Sequence, residues 1–210
     1  VCDLVFCTAR GLYESKKQFC SRIFLSPNAA DVEHFRQADN PEIPLAEELR
    51  DLPRPIFGFI GAIKEWIDLD LMGDLAKAFP QAAIVMVGPV GNNIDISKLN
   101  SAGNVYFLGH RDRQVLPQYL KGFDVCLNPF KENELTSTVS PLKFYEYLAS
   151  GRPIASIPMP EIMEFAGLVE FGRGPEGFAD AVNRALNDTP AKKKKRLQKA
   201  AENSWESRAE

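Results

Sequence analysis

Histidine is nearly absent from this chain of 210 residues: His34 and His110 are the two it has. Neither has a second histidine beside it in sequence, and no HExxH or DxD-type cluster occurs, so no metal site is expected. Cysteine is also scarce. Cys2, Cys7, Cys20 and Cys126 form no CxxC pair, and three of them crowd into the first twenty residues, which suggests neither a zinc site nor a disulfide framework and makes a reducing, cytoplasmic setting the expectation. Long apolar runs are missing: residues 56–63 (IFGFIGAI) and 82–87 (AAIVMV) fall far short of the ~20 residues of a membrane span. Positive charge is not in excess. Lys plus Arg number 25 against 28 for Asp plus Glu, a net charge of −3, which removes the sequence-independent phosphate attraction of nucleic-acid binders. There is no leader-like segment, and the chain opens at Val1 rather than Met, so its true start is expected elsewhere.

What is present is ordinary for a folded domain: 45% hydrophobic, 25% charged and 10% aromatic residues, proportions that exclude a disordered or collagenous chain. At ~100–200 residues per domain, the length fits one large domain or a domain with part of another. Residues 3–9 and 22–26 read as short strands around a polar helical stretch, one β-α-β step with too few neighbours to build a core. Residues 27–55 carry Pro41, Pro44, Pro53 and Pro55 with a run of charges, as a linker wrapped over a surface would. The boundaries expected are therefore 1–55 for a domain tail and linker, 56–188 for the main unit, and 189–210 for a basic C-terminal helix.

From Ile56 onward six apolar runs alternate with amphipathic stretches. Runs that are apolar throughout belong to strands buried on both faces, so the fold class expected is α/β, a Rossmann-like doubly wound parallel sheet. Asp68 is positioned to cap the first helix, with Leu71, Met72, Leu75, Ala76 and Phe79 on one face.

Ligands of such sheets sit at the carboxyl ends of the strands. The loop after the first strand has Gly61, which permits close backbone approach, and Lys64, a cation beside a helix start; a tight turn and a solvated lysine are the bland alternatives. The GxGxxG fingerprint is absent. The stretch 133–156 is the richest. Ser140 followed by Pro141 reads as a cap with proline in the first helical position, so the backbone of Thr138, Val139 and Ser140 leads into a helix N-terminus that favours anions. In that helix Leu142, Tyr145, Leu148 and Ala149 make the buried stripe, while Lys143 and Glu146 share another face. Glu146 could accept from two vicinal hydroxyls, as a ribose offers; an exposed ion pair with Lys143 is the competing reading. Gly109 and His110 end a strand where a base or sugar could rest, although a lone histidine is more often structural than functional. Trp66 and Trp205 read as packing residues. Residues 192–196 are five basic residues in a row, a solvated helical stretch that also permits contact with an anionic membrane surface.

The ordered set GFIGAI, GPV, NVYFLGH, FDVCLNPF and above all SPLKFYEYLASGRPIAS resembles the C-terminal, donor-binding half of a family 4 glycosyltransferase of the GT-B fold, and residues 3–9 and 22–35 are similar to the link from that family's first domain. The resemblance implies transfer of a sugar from a nucleotide-sugar donor, a UDP-sugar first of all, with no cofactor, in polysaccharide or cell-envelope synthesis. The acceptor and the catalytic base would belong to an N-terminal domain outside these residues, leaving this piece inactive alone. Glu146 matches the second glutamate of the family's paired motif, a ribose contact; Thr138 stands where the first would be. Ala62 replaces an arginine of the diphosphate site and Asp68 a lysine, which leaves Lys64 and Lys143 as substitutes. Gly109 and His110 match the region that reads the base. Two other readings stand beside this one: a nucleotide-sugar epimerase of similar architecture, and a non-catalytic nucleotide-binding module.

Overall fold

Residues 3–209 are described by a computed structural model; Val1, Cys2 and Glu210 lie outside the described residues. Two short stretches, β1 (Val5–Cys7) and β2 (Ile23–Leu25), pair in parallel across helix α1 (Arg10–Lys16). Three residues per strand cover little, and Phe6 and Phe24 stay more than half exposed with their rings 5.8 Å apart. The next segment crosses to the main unit through α2 (Val32–Arg36), whose first turn is capped by Asp31 accepting from the His34 N–H at 3.0 Å. Residues 27–55 lie over the main unit and enter its core: Phe35, Ala38 and Leu49 are fully buried in the same apolar cluster as the sheet.

The six apolar runs all become strands: β3 (Ile56–Ile60), β4 (Ala83–Val87), β5 (Val105–Gly109), β6 (Val125–Asn128), β7 (Ile154–Ser156) and β8 (Glu170–Phe171). They form one parallel sheet in the order β5-β4-β3-β6-β7-β8. Every residue of β3 and β4 is buried, because helices cover both faces: α3 (Leu69–Ala78), α4 (Ser97–Asn100), α5 (Leu116–Gly122), α6 (Leu142–Ser150) and α7 (Gly174–Leu186). Asp68 caps α3 as expected, accepting from the Leu71 N–H at 2.9 Å. Sheet and helices touch so closely beside β3 that a Cβ on Gly58 would lie 2.1 Å from the Phe123 ring. Cys126 sits in the middle of this core, and burial pushes its thiol up to about 12, so it is inert.

Helix α6 departs from expectation at its start. Pro141 is extended (φ −76°, ψ 110°) and is itself the cap position, with no side-chain cap. Ser140 does not cap: its hydroxyl faces Tyr145 Oη at 3.4 Å, and its carbonyl accepts from Asn28 Nδ2 at 2.6 Å. Burial also wraps around the helix instead of following one stripe, since Phe144 through Ser150 are all buried while Leu142 is partly exposed. Residues from the linker side and from the C-terminal helix α8 (Pro190–Ala201) cover what a simple two-layer arrangement would leave in water. Gly151, at φ 69°, ends α6 in the left-handed conformation glycine adopts freely.

The basic run is not a uniformly solvated face. Arg196 is 1% exposed; its guanidinium reaches the Gly151 carbonyl at 3.0 Å and the Asp188 carboxylate. Lys192 donates to Glu170 at 2.6 Å and Lys193 pairs with Asp39. Lys194 and Lys195 remain exposed. Helix α9 (Trp205–Ala209) follows, with Trp205 47% exposed rather than packed.

The contrast within α8 is testable by chemical denaturation. Arg196→Ala strands the Asp188 carboxylate and the Gly151 carbonyl and is expected to cost about 3 kcal/mol. Lys194→Ala, on the solvent side, is expected to stay within about 0.5 kcal/mol. Equal effects would contradict the buried ion pair.

Candidate functional site

The strand order reverses between β3 and β6, and the crevice of a doubly wound sheet opens there, at the carboxyl ends. β6 pairs with β3 only at Phe57 and Gly58, so the two strands part before β3 ends. The Tyr147 hydroxyl fills the gap: it accepts from the Ile60 N–H at 2.8 Å and donates to the Ile60 carbonyl at 3.3 Å. This buried phenol fastens α6 to the end of β3. Burial holds its ionisation well above the usual phenol range, so it stays neutral.

Backbone hydrogen bonds lace the loops on the other side. The Gly61 N–H donates to Val87 O and the Gly88 N–H to Gly109 O, each at 2.9 Å. Gly88 has φ 146°, and a Cβ there would lie 1.9 Å from the Gly61 carbonyl oxygen, so only glycine fits.

Two hollows open over these loops. One, about 240 Å³, is walled by Gly61, Gly88, His110, Arg111, Arg113 and Lys143. The other, about 370 Å³, lies between the β3–α3 and β6–α6 loops and includes Trp66, Leu135, Val139, Ser140 and Lys143. Gly61, Ala62 and Lys143 belong to both, so the two hollows adjoin across the N-terminal turn of α6. A larger depression of about 790 Å³ runs between α2 and α9, away from the strand ends.

Lys143 Nζ lies 2.8 Å from Glu146 Oε2, with the lysine part-exposed and the carboxylate buried beneath it. The pair anticipated from the i, i+3 spacing therefore forms, but as a lid over a buried acid and not as an exposed surface pair. Burial raises the Glu146 carboxyl above the usual carboxylate range; Lys143, and more weakly Arg113 and His34, act in the opposite direction. The two arginines of the smaller hollow are held elsewhere. Arg111 donates to Glu48 at 2.8 Å and to the Tyr119 hydroxyl at 2.6 Å, and it keeps the Glu48 carboxyl below its usual range. Arg113 pairs with Asp31 at 3.0 Å and stacks over Phe35.

Of the residues singled out from sequence, Gly61, His110, Val139, Ser140 and Lys143 face the hollows, Gly109 lies just behind through its bond to Gly88, and Glu146 lies under Lys143. Thr138 and Lys64 do not line either hollow. The Thr138 hydroxyl closes a turn on the Leu135 carbonyl at 3.1 Å, and its methyl faces Gly11 of α1. Lys64 Nζ sits over the Trp66 ring, 5.2 Å from its centre, a cation–π contact at the rim. Tyr147, Trp66 and Arg113 went unread as site residues: Tyr147 lies off the expected stripe, and nothing local marks the other two as neighbours of Lys143. Among the described residues no group of three His, Cys, Asp or Glu side chains is placed to hold a metal ion, and no helix is long and apolar enough to cross a membrane.

Comparison with known proteins adds a family. The sequence model described as "Glycosyl transferases group 1" matches residues 54–188. TuaH of Bacillus subtilis (strain 168), named as a teichuronic acid biosynthesis glycosyltransferase, is 28% identical over 192 residues, which cover 88% of this chain and 48% of TuaH. HepE of Anabaena, solved in complex with UDP and glucose, superposes with a TM-score of 0.68 at 16% identity, over 96% of this chain and 59% of HepE. Sucrose-phosphate synthase of Thermosynechococcus elongatus gives a TM-score of 0.68 at 18% identity, over all of this chain and 56% of that one. The fold is thus the Rossmann-like unit of GT-B proteins, and the chain spans about half the length of the relatives it matches.

The buried acid generates a pH prediction. A carboxyl whose folded-state value is raised contributes stability below its unfolded value, ordinarily 4.5, and loses it as pH rises through the folded value. Glu146→Gln removes that ionisation. The variant is expected to be more stable than the parent at about pH 7, with the difference vanishing toward the ordinary carboxylate value. Denaturation midpoints that differ by the same amount at every pH would show that Glu146 does not titrate from a buried position.

Proposed function

The chain belongs to the group 1 glycosyl transferases, and from that membership we propose that it is the half that holds a nucleotide-sugar donor, a UDP-sugar, for transfer to an acceptor in polysaccharide or cell-envelope synthesis. The observation that carries this reading is the pair of adjoining hollows at the carboxyl ends of the sheet, joined across Gly61, Ala62 and Lys143. A nucleotide sugar has the matching sequence of parts: a nucleoside, two phosphates and a sugar. The nucleoside belongs in the smaller hollow beside His110, with Glu146 accepting from the ribose hydroxyls once Lys143 moves toward the diphosphate. The UDP bound to HepE and the name of TuaH support the choice of nucleotide and of pathway class.

In the transfer the bond between the sugar's C1 and the diphosphate oxygen breaks, and the acceptor hydroxyl oxygen bonds C1 and gives up its proton to a base. The nucleoside diphosphate leaves with the electron pair. Negative charge builds on it, and Lys143 with the first-turn N–H groups of α6 is placed to stabilise that charge. Stabilisation of the leaving group is assigned to this lysine and the backbone. The acceptor and the base are assigned to a further domain outside these residues; the half-exposed Phe6 and Phe24 suit a surface that such a domain covers. Membrane-surface contact, proposed with a cytoplasmic location, keeps Lys194 and Lys195 as its cationic residues, because Lys192, Lys193 and Arg196 are engaged by carboxylates.

Calorimetric titration with UDP tests the reading. UDP is expected to bind with a Kd near or below millimolar, ~−4 kcal/mol or better, and Glu146→Ala to weaken it about tenfold through loss of charge-assisted hydrogen bonds. No heat with UDP, or an unchanged affinity in the variant, overturns the site. The chain alone is expected to transfer no sugar from a UDP-sugar, a result checked by release of UDP with acceptor mixtures.

A further inference from the structure

The larger hollow has a predominantly apolar wall. Phe59, Trp66, Phe130, Leu135 and Leu142 are among the residues that line it. Five side chains of its wall carry polar atoms; those of Asn28, Thr136, Ser140 and Lys143 already have protein partners, and the Trp66 indole contributes one N–H donor. Asn28 Nδ2 donates to the Ser140 carbonyl at 2.6 Å, Thr136 Oγ1 to the Lys131 carbonyl, and Ser140 Oγ lies 3.4 Å from Tyr145 Oη. Lys143 is shared between Glu146 and the smaller hollow. Thr138 is turned away, its hydroxyl spent on Leu135 and its methyl against Gly11.

A sugar hydroxyl brought into this hollow would leave water and find few side-chain partners, whereas a C–H or methyl group in the same place would lose nothing and gain contact with the apolar wall. We propose that this hollow takes the glycosyl group of the donor and selects a deoxy sugar, one in which a methyl or C–H group replaces a hydroxyl-bearing position. The inference rests on the donor reading above, which places the diphosphate at Gly61, Ala62 and Lys143; the sugar then has the apolar hollow as its neighbour. Trp66, with Lys64 Nζ over its ring at 5.2 Å, adds aromatic surface to the wall, and Leu135, on the β6–α6 loop, lines the hollow while remaining 57% exposed.

The test uses the whole chain and four probes in calorimetric titration: UDP, UDP-6-deoxyglucose, UDP-glucose and UDP-N-acetylglucosamine. UDP reports the nucleotide end by itself. UDP-6-deoxyglucose is expected to bind about tenfold more tightly than UDP-glucose, the scale at which an apolar pocket discriminates against an added hydroxyl. In Leu135→Asn, a change at an exposed position that adds a polar partner, the preference is expected to fall below about threefold while UDP affinity is unchanged. Binding of UDP with UDP-glucose as tight as the deoxy donor, or with UDP-N-acetylglucosamine tightest of the sugars, overturns the deoxy-sugar inference and leaves the donor reading standing. A preference that survives Leu135→Asn intact overturns the placement in this hollow. Failure of UDP itself to bind overturns the donor reading, and this inference with it.

Discussion

Where β6 separates from β3, the parallel ladder is left short by one residue's pair of backbone groups, and the Tyr147 hydroxyl takes both, accepting from the Ile60 N–H and donating to its carbonyl. A buried amide without a partner would cost on the order of 1–3 kcal/mol, so the splayed strands depend on this phenol. Its second consequence is positional. Tyr147 sits one turn from Lys143 and next to Glu146, so the contact that repairs the ladder also sets the height of the ion pair over the crevice. Sheet topology, helix anchoring and the electrostatics of the site meet in a single side chain.

The acid beneath Lys143 shows how burial changes the meaning of a spacing. On an exposed helix an i, i+3 pair contributes a few tenths of a kcal/mol and is screened by salt. Here Glu146 is buried, raised by desolvation and partly restored by one ammonium that also faces both hollows. Arg111 and Arg113 stand in the same wall but are anchored by Glu48 and Asp31. Lys143 is therefore the cation of the wall that a ligand can draw away, at the cost of uncovering an acid that then needs hydroxyl donors.

The sheet was legible because its strands are apolar throughout and punctuated by Gly, Pro and Asp; all six runs became neighbours in one parallel sheet. The start of α6 was less legible. Ser-Pro is a strong local signal for a cap, yet Pro141 adopts the cap position and Ser140 turns inward to Tyr145 and Asn28, residues brought there by packing. The basic run misled in the same way: five consecutive cations look solvated, but helical geometry sends Arg196 into the core, where Asp188 and a helix-end carbonyl receive it. Lys64 and Thr138 occupy plausible loops and still miss the hollows, because an aromatic face and a local turn hold them.

From its order of residues alone this chain determined an α/β unit with a crevice at its strand ends, a lysine and a glutamate on one helix, and the motifs of a sugar-transferring family. The first two are properties of periodicity and spacing, which local sequence encodes, and the third is a resemblance carried by the motifs themselves. Only the tertiary structure decided that Glu146 is buried under Lys143, that Tyr147 ties the helix to β3, and that Phe59, Trp66 and Leu135 meet in the wall of the hollow beside Lys143. Each of those depends on residues distant in sequence arriving together, and desolvation, which sets the strength of every charge and hydrogen bond there, does not exist until they do.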